Sequence, residues 1–327
     1  MKLFIQVCFT ITLFMFLAIS AHAGTSPTLF GLAGCGANAE GTLYTIDTSD
    51  GSGTAVGSGV GFERCGGLAI DSNGTLFATC ERMDGSDISV LVSIDPDTGV
   101  GSETGTFMCT NQNVGYTDLT VRNSDDMLTA LLFVTGGGGC VDFGINTLNK
   151  STGEATAIAA LTGNDGCCGL GHAYSGNDTF HVGISEPGND ATCDFDFANL
   201  YTCNDNTGAC NLLTAVNFPA DPFDCFPRTN SLVFHPVSDT LFASVVNGGP
   251  AFAEARENYL VTINTSTGDA TNIGPTVECL NTIAFSPDVE PTGPLVIIPT
   301  MGQWGMIIAT ILLGFFAIAA LRRRTES

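Results

Sequence analysis

The chain has 327 residues, with 33 acidic against 10 basic side chains and a formal net charge of −23. Between Gly24 and Ile297 the bases are only Arg64, Arg82, Arg122, Lys150, Arg228 and Arg256, against 32 acids, a net of −26. So acidic a body repels nucleic acid and anionic lipid and attracts cations, so nucleic acid is excluded as a partner.

The first element is an export signal. Lys2 supplies a positive start, Leu3 to Ile19 an apolar core, and Ala21-His22-Ala23 a small-residue cleavage site. Residues 1–23 therefore read as a Sec signal peptide, with the mature chain starting at Gly24. Removing it and the C-terminal segment leaves about 270 residues, ordinary for one all-β barrel, sandwich or propeller. Of thirteen cysteines, Cys8 leaves with the signal, and an even twelve remain for disulfides in an oxidising compartment.

Residues 24–288 are repetitive. Alternating runs such as Leu43-Tyr44-Thr45-Ile46-Asp47 and Leu91-Val92-Ser93-Ile94-Asp95 each precede a polar turn ending in glycine. Gly51, Gly99, Gly153, Gly208 and Gly268 mark that turn at separations of 48, 54, 55 and 60 residues. A second hairpin lies between the marks, as in Gly67-Leu68-Ala69-Ile70-Asp71 before Thr75-Leu76-Phe77-Ala78 and in Leu232-Val233-Phe234-His235 before Leu241-Phe242-Ala243. Each repeat thus holds four short strands, labelled A to D from axis to rim, with no helical periodicity. Four-stranded units at this period predict an all-β propeller of five blades. A sixth would have to hide in residues 183–199. Entry at Thr28 to Gly31 matches strand B and exit at Thr282 to Ser286 matches strand A, so both termini close one blade. Across residues 28–288 the pattern resembles the NHL/YVTN class of bacterial propellers.

The strand scheme places Cys65, Cys109, Cys167, Cys168, Cys225 and Cys279 in D–A loops and Cys35, Cys80, Cys140 and Cys193 in B–C loops, all at one face. The pairing expected is Cys65–Cys80, Cys109–Cys140, Cys279–Cys35, and one of Cys167 and Cys168 with Cys193. Cys225 takes the remaining member of that pair, and Cys203–Cys210 staples a C–D hairpin.

Catalytic signals are sparse. His235 precedes Pro236 and reads as a turn residue. His172 and His181 are expected opposite each other on one face of an A–B hairpin, as a hydrogen-bonded pair or, alternatively, as two ligands of a metal lacking an evident third. Asp118, at the mouth of an inner strand, and the loop acids Asp190, Asp194 and Asp196 are the candidates for a calcium site, the latter without EF-hand spacing. Gly136 to Gly139 follow a strand and precede no helix, so they read as a loop and not a phosphate cradle. No G-x-S-x-G motif or ordered triad is present. A non-catalytic binding, adhesion or structural role without a cofactor is preferred, with a calcium-dependent hydrolase or lactonase as the alternative.

Residues 289–297 form a Pro/Gly spacer. Ile298-Pro299-Thr300-Met301 then precedes Trp304-Gly305, an uncharged run to Leu321, and Arg322-Arg323-Arg324. At about 1.5 Å per residue the run from 304 to 321 reaches across a ~30 Å hydrocarbon core, with Trp304 at an interface and the arginines as a cytoplasmic stop. Residues 298–324 resemble the IPTL-CTERM sorting signal, with Met301 where leucine is usual and Gly302-Gln303 where Ser-Glu is usual. The resemblance implies an exosortase-like membrane protease as partner. It also implies an inner-membrane intermediate facing the periplasm, then surface or extracellular release after processing of the 298–327 tail. A polysaccharide or matrix protein is the expected ligand.

Overall fold

The structure is a computed structural model and describes residues 26–33, 41–84, 86, 88–106, 118–132, 144–163, 169–185, 198–223, 227–247 and 257–287. The expected signal peptide, the spacer and the sorting tail lie outside these residues. So do residues 186–197 of the 183–199 stretch and every predicted cysteine except Cys65, Cys80, Cys203, Cys210 and Cys279.

Among the described residues, twenty strands lie in the compact unit Ser26–Asp288. In chain order they are β1 (Leu29–Ala33), β2 (Leu43–Ile46), β3 (Gly53–Val56), β4 (Glu63–Ile70), β5 (Leu76–Glu81), β6 (Ser89–Ile94) and β7 (Gly101–Thr106). Next come β8 (Asp118–Arg122), β9 (Met127–Leu132), β10 (Gly144–Leu148), β11 (Ala155–Ala160), β12 (Gly169–Tyr174), β13 (Phe180–Ser185) and β14 (Ala198–Cys203). The last are β15 (Cys210–Val216), β16 (Arg228–Phe234), β17 (Leu241–Asn247), β18 (Glu257–Ile263), β19 (Ala270–Pro275) and β20 (Leu280–Phe285).

They form five four-stranded antiparallel sheets: β4 to β7, β8 to β11, β12 to β15, β16 to β19, and a fifth ordered β20-β1-β2-β3. The inner strands β4, β8, β12, β16 and β20 pack on one another in that order and back to β4, which closes a five-bladed propeller. The fifth blade takes its inner strand from the C-terminal side, with Leu29 opposite Phe285 and Gly31 opposite Ile283. The closure extends one pair further: the Ser286 N–H donates to the Thr28 carbonyl at 2.8 Å, and the Thr28 N–H donates to Ser286 Oγ at 2.8 Å.

The repeated glycine has two physical causes, and the second blade-to-blade one is invisible in sequence. In the β6–β7 turn, Asp95 Oδ1 accepts the N–H groups of Asp97 and Thr98, and Gly99 closes the turn at φ +70°. That left-handed conformation already favours glycine. In addition, a Cβ on Gly99 would stand 2.2 Å from the carbonyl oxygen of Val56 on the neighbouring rim strand. The same turn is built on Asn149, Asn204 and Asn264 in the second to fourth blades. The core is divided between blades, because alternate side chains of each sheet face alternate neighbours. Leu68, Leu76, Ala78, Val90 and Val92, for example, pack against Leu32 and Leu43 of the fifth blade.

Two of the expected disulfides are present, Cys65–Cys80 and Cys203–Cys210. Cys65–Cys80 ties the start of β4 to the end of β5 within one blade, and Cys203–Cys210 staples the β14–β15 hairpin. Cys279 is buried beside β20, and its expected partner Cys35 lies outside the described residues.

Candidate functional site

Counting back from the A–B turns, Gly67, Asp118, Gly171, Ser231 and Thr282 occupy one level of the five inner strands. Two of the five have no side chain, and the Asp118 carboxyl occupies the space on the axis with 4% of the residue exposed. Ser231 Oγ lies 3.0 Å and Thr282 Oγ1 3.2 Å from Asp118 Oδ1, and the His172 N–H donates to Oδ2 at 3.0 Å. Ser231 Oγ in turn accepts the Ile283 N–H at 3.2 Å. One side chain of the second blade therefore binds the third, fourth and fifth.

Burial outweighs these hydrogen bonds and pushes the Asp118 carboxyl up to about 8. It is thus largely protonated at neutral pH. The His172 N–H needs an acceptor at Oδ2, so the proton belongs on Oδ1, where the two hydroxyls can accept as readily as donate. Asp118 is a neutral cross-blade link, in the place where the sequence located a candidate acid.

The two histidines correct an expectation. The β12–β13 register pairs Ala173 with His181 and His172 with Val182, so the imidazoles point to opposite faces and cannot share a ligand. His172 is fully buried edge-on to Phe180, at 5.5 Å between ring centroids, and burial lowers its pKa to about 3. Its Nδ1 stands 3.7 Å from Asp118 Oδ2, too far for a hydrogen bond. His181 packs on Phe234 and donates Nδ1–H to the Thr179 carbonyl at 2.9 Å. His235 is the turn residue expected: its Nδ1 accepts the N–H groups of Val237 and Ser238, which puts its proton on Nε2.

At the A–B turn end the channel opens into a cavity of about 280 Å³ walled by residues of all five inner strands, among them Ala69, Val121, Val233 and Phe285. Its rim includes Asp71, Asp126 and His235. Here aspartates hold neighbouring turns together. Asp126 accepts the Ser72 N–H of the first blade, Asp178 accepts the N–H groups of Asn123 and Ser124 of the second, and Asp239 accepts the Gly176 N–H of the third. All three aspartates have positive φ, between 54° and 59°. The equivalent position in the first blade is Gly74, facing the fifth blade, where the inner pair β20–β1 is not joined by a turn.

Cations complete the clasp. Lys150 Nζ reaches Asp126 at 2.5 Å and Asp71 at 3.3 Å. Burial alone would raise the Asp126 carboxyl, but the ammonium and the Ser72 N–H outweigh it and hold the group below its usual range. Arg122 bridges Asp125 and Asp205 at 2.5 and 2.7 Å, and the Tyr174 hydroxyl also donates to Asp205.

Among the described residues, no group of three or more His, Cys, Asp or Glu side chains is placed to hold a metal ion. Asp190, Asp194, Asp196, Gly136 to Gly139, the cleavage site at Ala21, Ala23 and Gly24, and the sorting residues Ile298 to Arg324 lie outside them. Sequence reasoning missed Ser231, Thr282 and the aspartate clasps. The one available signal was an Asp one or two residues before the second strand of three A–B hairpins.

No protein-family model matches the chain, and no curated protein matches it significantly. Solved structures with a similar course of chain include TolB from Acinetobacter baumannii, at 15% identity and a TM-score of 0.40, covering 75% of this chain and 51% of that one. A protein from Lactobacillus plantarum aligns at 9% identity and a TM-score of 0.44, covering 80% of this chain and 99% of that one. A protein assigned as a 6-phosphogluconolactonase from Bacteroides uniformis aligns at 11% identity and a TM-score of 0.40, covering 82% and 85%. Likenesses this distant do not bear on activity.

Proposed function

We propose that this propeller is an exported, non-catalytic binding or envelope/matrix protein, which engages a polysaccharide or matrix component through the end of the ring that carries the B–C and D–A connections. The observation that supports this most is the use of Asp118. Both oxygens of the buried axial Asp118 carboxyl are committed to holding three other blades. The acids at the opposite end are similarly spent on turn-to-turn contacts. The acids of this molecule are used to tie the blades of the ring together, and a fixed scaffold is what presents loops for recognition.

The tail reading belongs to the same proposal. An exosortase-like protease would recognise the segment from Ile298 to Arg324 and release the body from the inner membrane to the cell surface or medium. Replacing Pro299 or the arginine triplet and following the mass of the mature form tests it: retention of the full tail mass in the variants, but not in the native chain, is the expected outcome.

A hydrolase or lactonase is the second reading, and one observation favours it: a carboxyl protonated near neutral pH is what a general acid needs. Glycan-array binding together with lactone and ester turnover, each measured with and without calcium, separates the two. Selective glycan binding without turnover is expected. Turnover that disappears in Asp118→Asn would overturn the binding proposal in favour of catalysis.

A further inference from the structure

The chain contains four Asn-x-Ser/Thr triplets, beginning at Asn73, Asn149, Asn177 and Asn264. In an exported protein such a triplet is an acceptor for an N-linked glycan when its amide is accessible at the surface. All four fall in hairpin turns at the A–B and C–D end of the ring, and all four residues are exposed. Their side-chain amides are not equivalent.

Three are committed to the turns that hold them. Asn149 Oδ1 accepts the N–H groups of Ser151 and Thr152, at 2.9 and 3.2 Å. Asn264 Oδ1 accepts those of Ser266 and Thr267, also at 2.9 and 3.2 Å. Asn177 Oδ1 is contacted by the Ser175 hydroxyl at 2.6 Å, the Thr179 hydroxyl at 2.8 Å and the Thr179 N–H at 3.3 Å. Rotating any of these amides into a transferase would break the side-chain hydrogen bonds that brace its turn. The Asn177 turn is also clasped on both sides, by Asp178 to the second blade and by Asp239 from the fourth.

Asn73 differs in both respects. Its side-chain amide makes no hydrogen bond among the described residues. Its turn is organised instead by Asp71, whose Oδ1 accepts the N–H groups of Asn73 and Thr75. The turn is clasped on one side only, by Asp126 at Ser72. On the other side Gly74, at φ +81°, takes the place of the clasping aspartate.

We propose that Asn73 is the N-glycan acceptor of the folded body. Asn73 Nδ2 would attack the anomeric carbon of an oligosaccharide linked to polyprenyl diphosphate. The new N–C bond replaces the C–O bond, the polyprenyl diphosphate leaves with the electron pair, and the amide gives up one proton to solvent. A glycan there would stand beside the channel rim, next to Asp71 and Ser72, and leave the cysteine-bearing end of the ring clear. The chemistry has meaning in the cell only if the chain is exported, whereas modification of the purified chain in vitro does not depend on export.

The purified folded chain is incubated with an oligosaccharyltransferase and a polyprenyl-diphosphate oligosaccharide, beside a synthetic peptide spanning residues 69–77 as a positive control, and peptides are mapped by mass. The expected result is one oligosaccharide mass on the Asn73 peptide, lost completely in Asn73→Gln and kept in Asn149→Gln, Asn177→Gln and Asn264→Gln. An unmodified folded chain beside a modified control peptide would overturn the proposal, as would modification of another triplet ahead of Asn73. A matching glycan on chain recovered from its own cells, or its absence there, then tests the export reading separately.

Discussion

Two aspartates at opposite ends of β8 do the same job in opposite charge states. Asp118 opens the strand on the ring axis, is buried, and is neutral near pH 7. Asp126 follows the strand in the A–B turn, is partly exposed, and is held ionised by Lys150 and the Ser72 N–H. Each links its blade to others. Available water and donors, not the side chain itself, decide whether the link is a carboxylic acid or a carboxylate. The lesson extends to function, since a shifted carboxyl on a propeller axis can be a structural part.

Asp118→Ala is expected to have the largest effect. It removes the acceptor of the His172 N–H and a shared partner of two buried hydroxyls and leaves a void, with an expected cost of about 3–5 kcal/mol in chemical denaturation. Replacing Cys65 and Cys80 together by serine should cost about 2–4 kcal/mol, and more than the same change at Cys203 and Cys210, because the sequence separation is 15 against 7. Denaturation midpoints of the two double variants check the order. Asp178→Ala, which leaves two backbone N–H groups to water at a partly exposed site, should cost about 1–2 kcal/mol. Its effect should be read in faster hydrogen exchange at Asn123 and Ser124. The smallest effect concerns Asp126. Its lowered pKa contributes stability above the unfolded value, lost as pH falls through the folded one. Asp126→Asn should therefore flatten only the acid limb of the stability profile, and screening by solvent keeps the change small.

Much of the ring was legible in sequence because hairpin chemistry repeats. Asx at the end of strand C and glycine four residues later mark each C–D turn, and the glycine is doubly required, by its own φ and by the neighbouring carbonyl. The position of Asp118 was legible too, as an acid opening an apolar strand. Its partners were not, because Ser231 and Thr282 are ordinary strand residues until the ring closes and brings three inner strands to one point. The histidine pair was misjudged by one residue. The hairpin centres on Asn177, with Asp178 in the left-handed region, so the register shifts by one and the side chains fall on opposite faces. The aspartate clasps were illegible for a related reason, since each acts on a different blade.

Whether Asp118 is a protonated structural link is decided by comparing Asp118→Asn with the native chain. Asparagine copies the neutral acid, accepting from His172 with Oδ1 and offering Nδ2 to the two hydroxyls. A folded-state pKa raised from 3.8 to about 8 makes the native contribution complete below pH 3.8 and progressively lost as pH rises to about 8. Unfolding free energies measured by denaturant from pH 4 to 9 should therefore show the native chain losing several kcal/mol relative to Asp118→Asn across that window. Parallel pH profiles for the two proteins would mean that Asp118 is not held protonated in the folded ring.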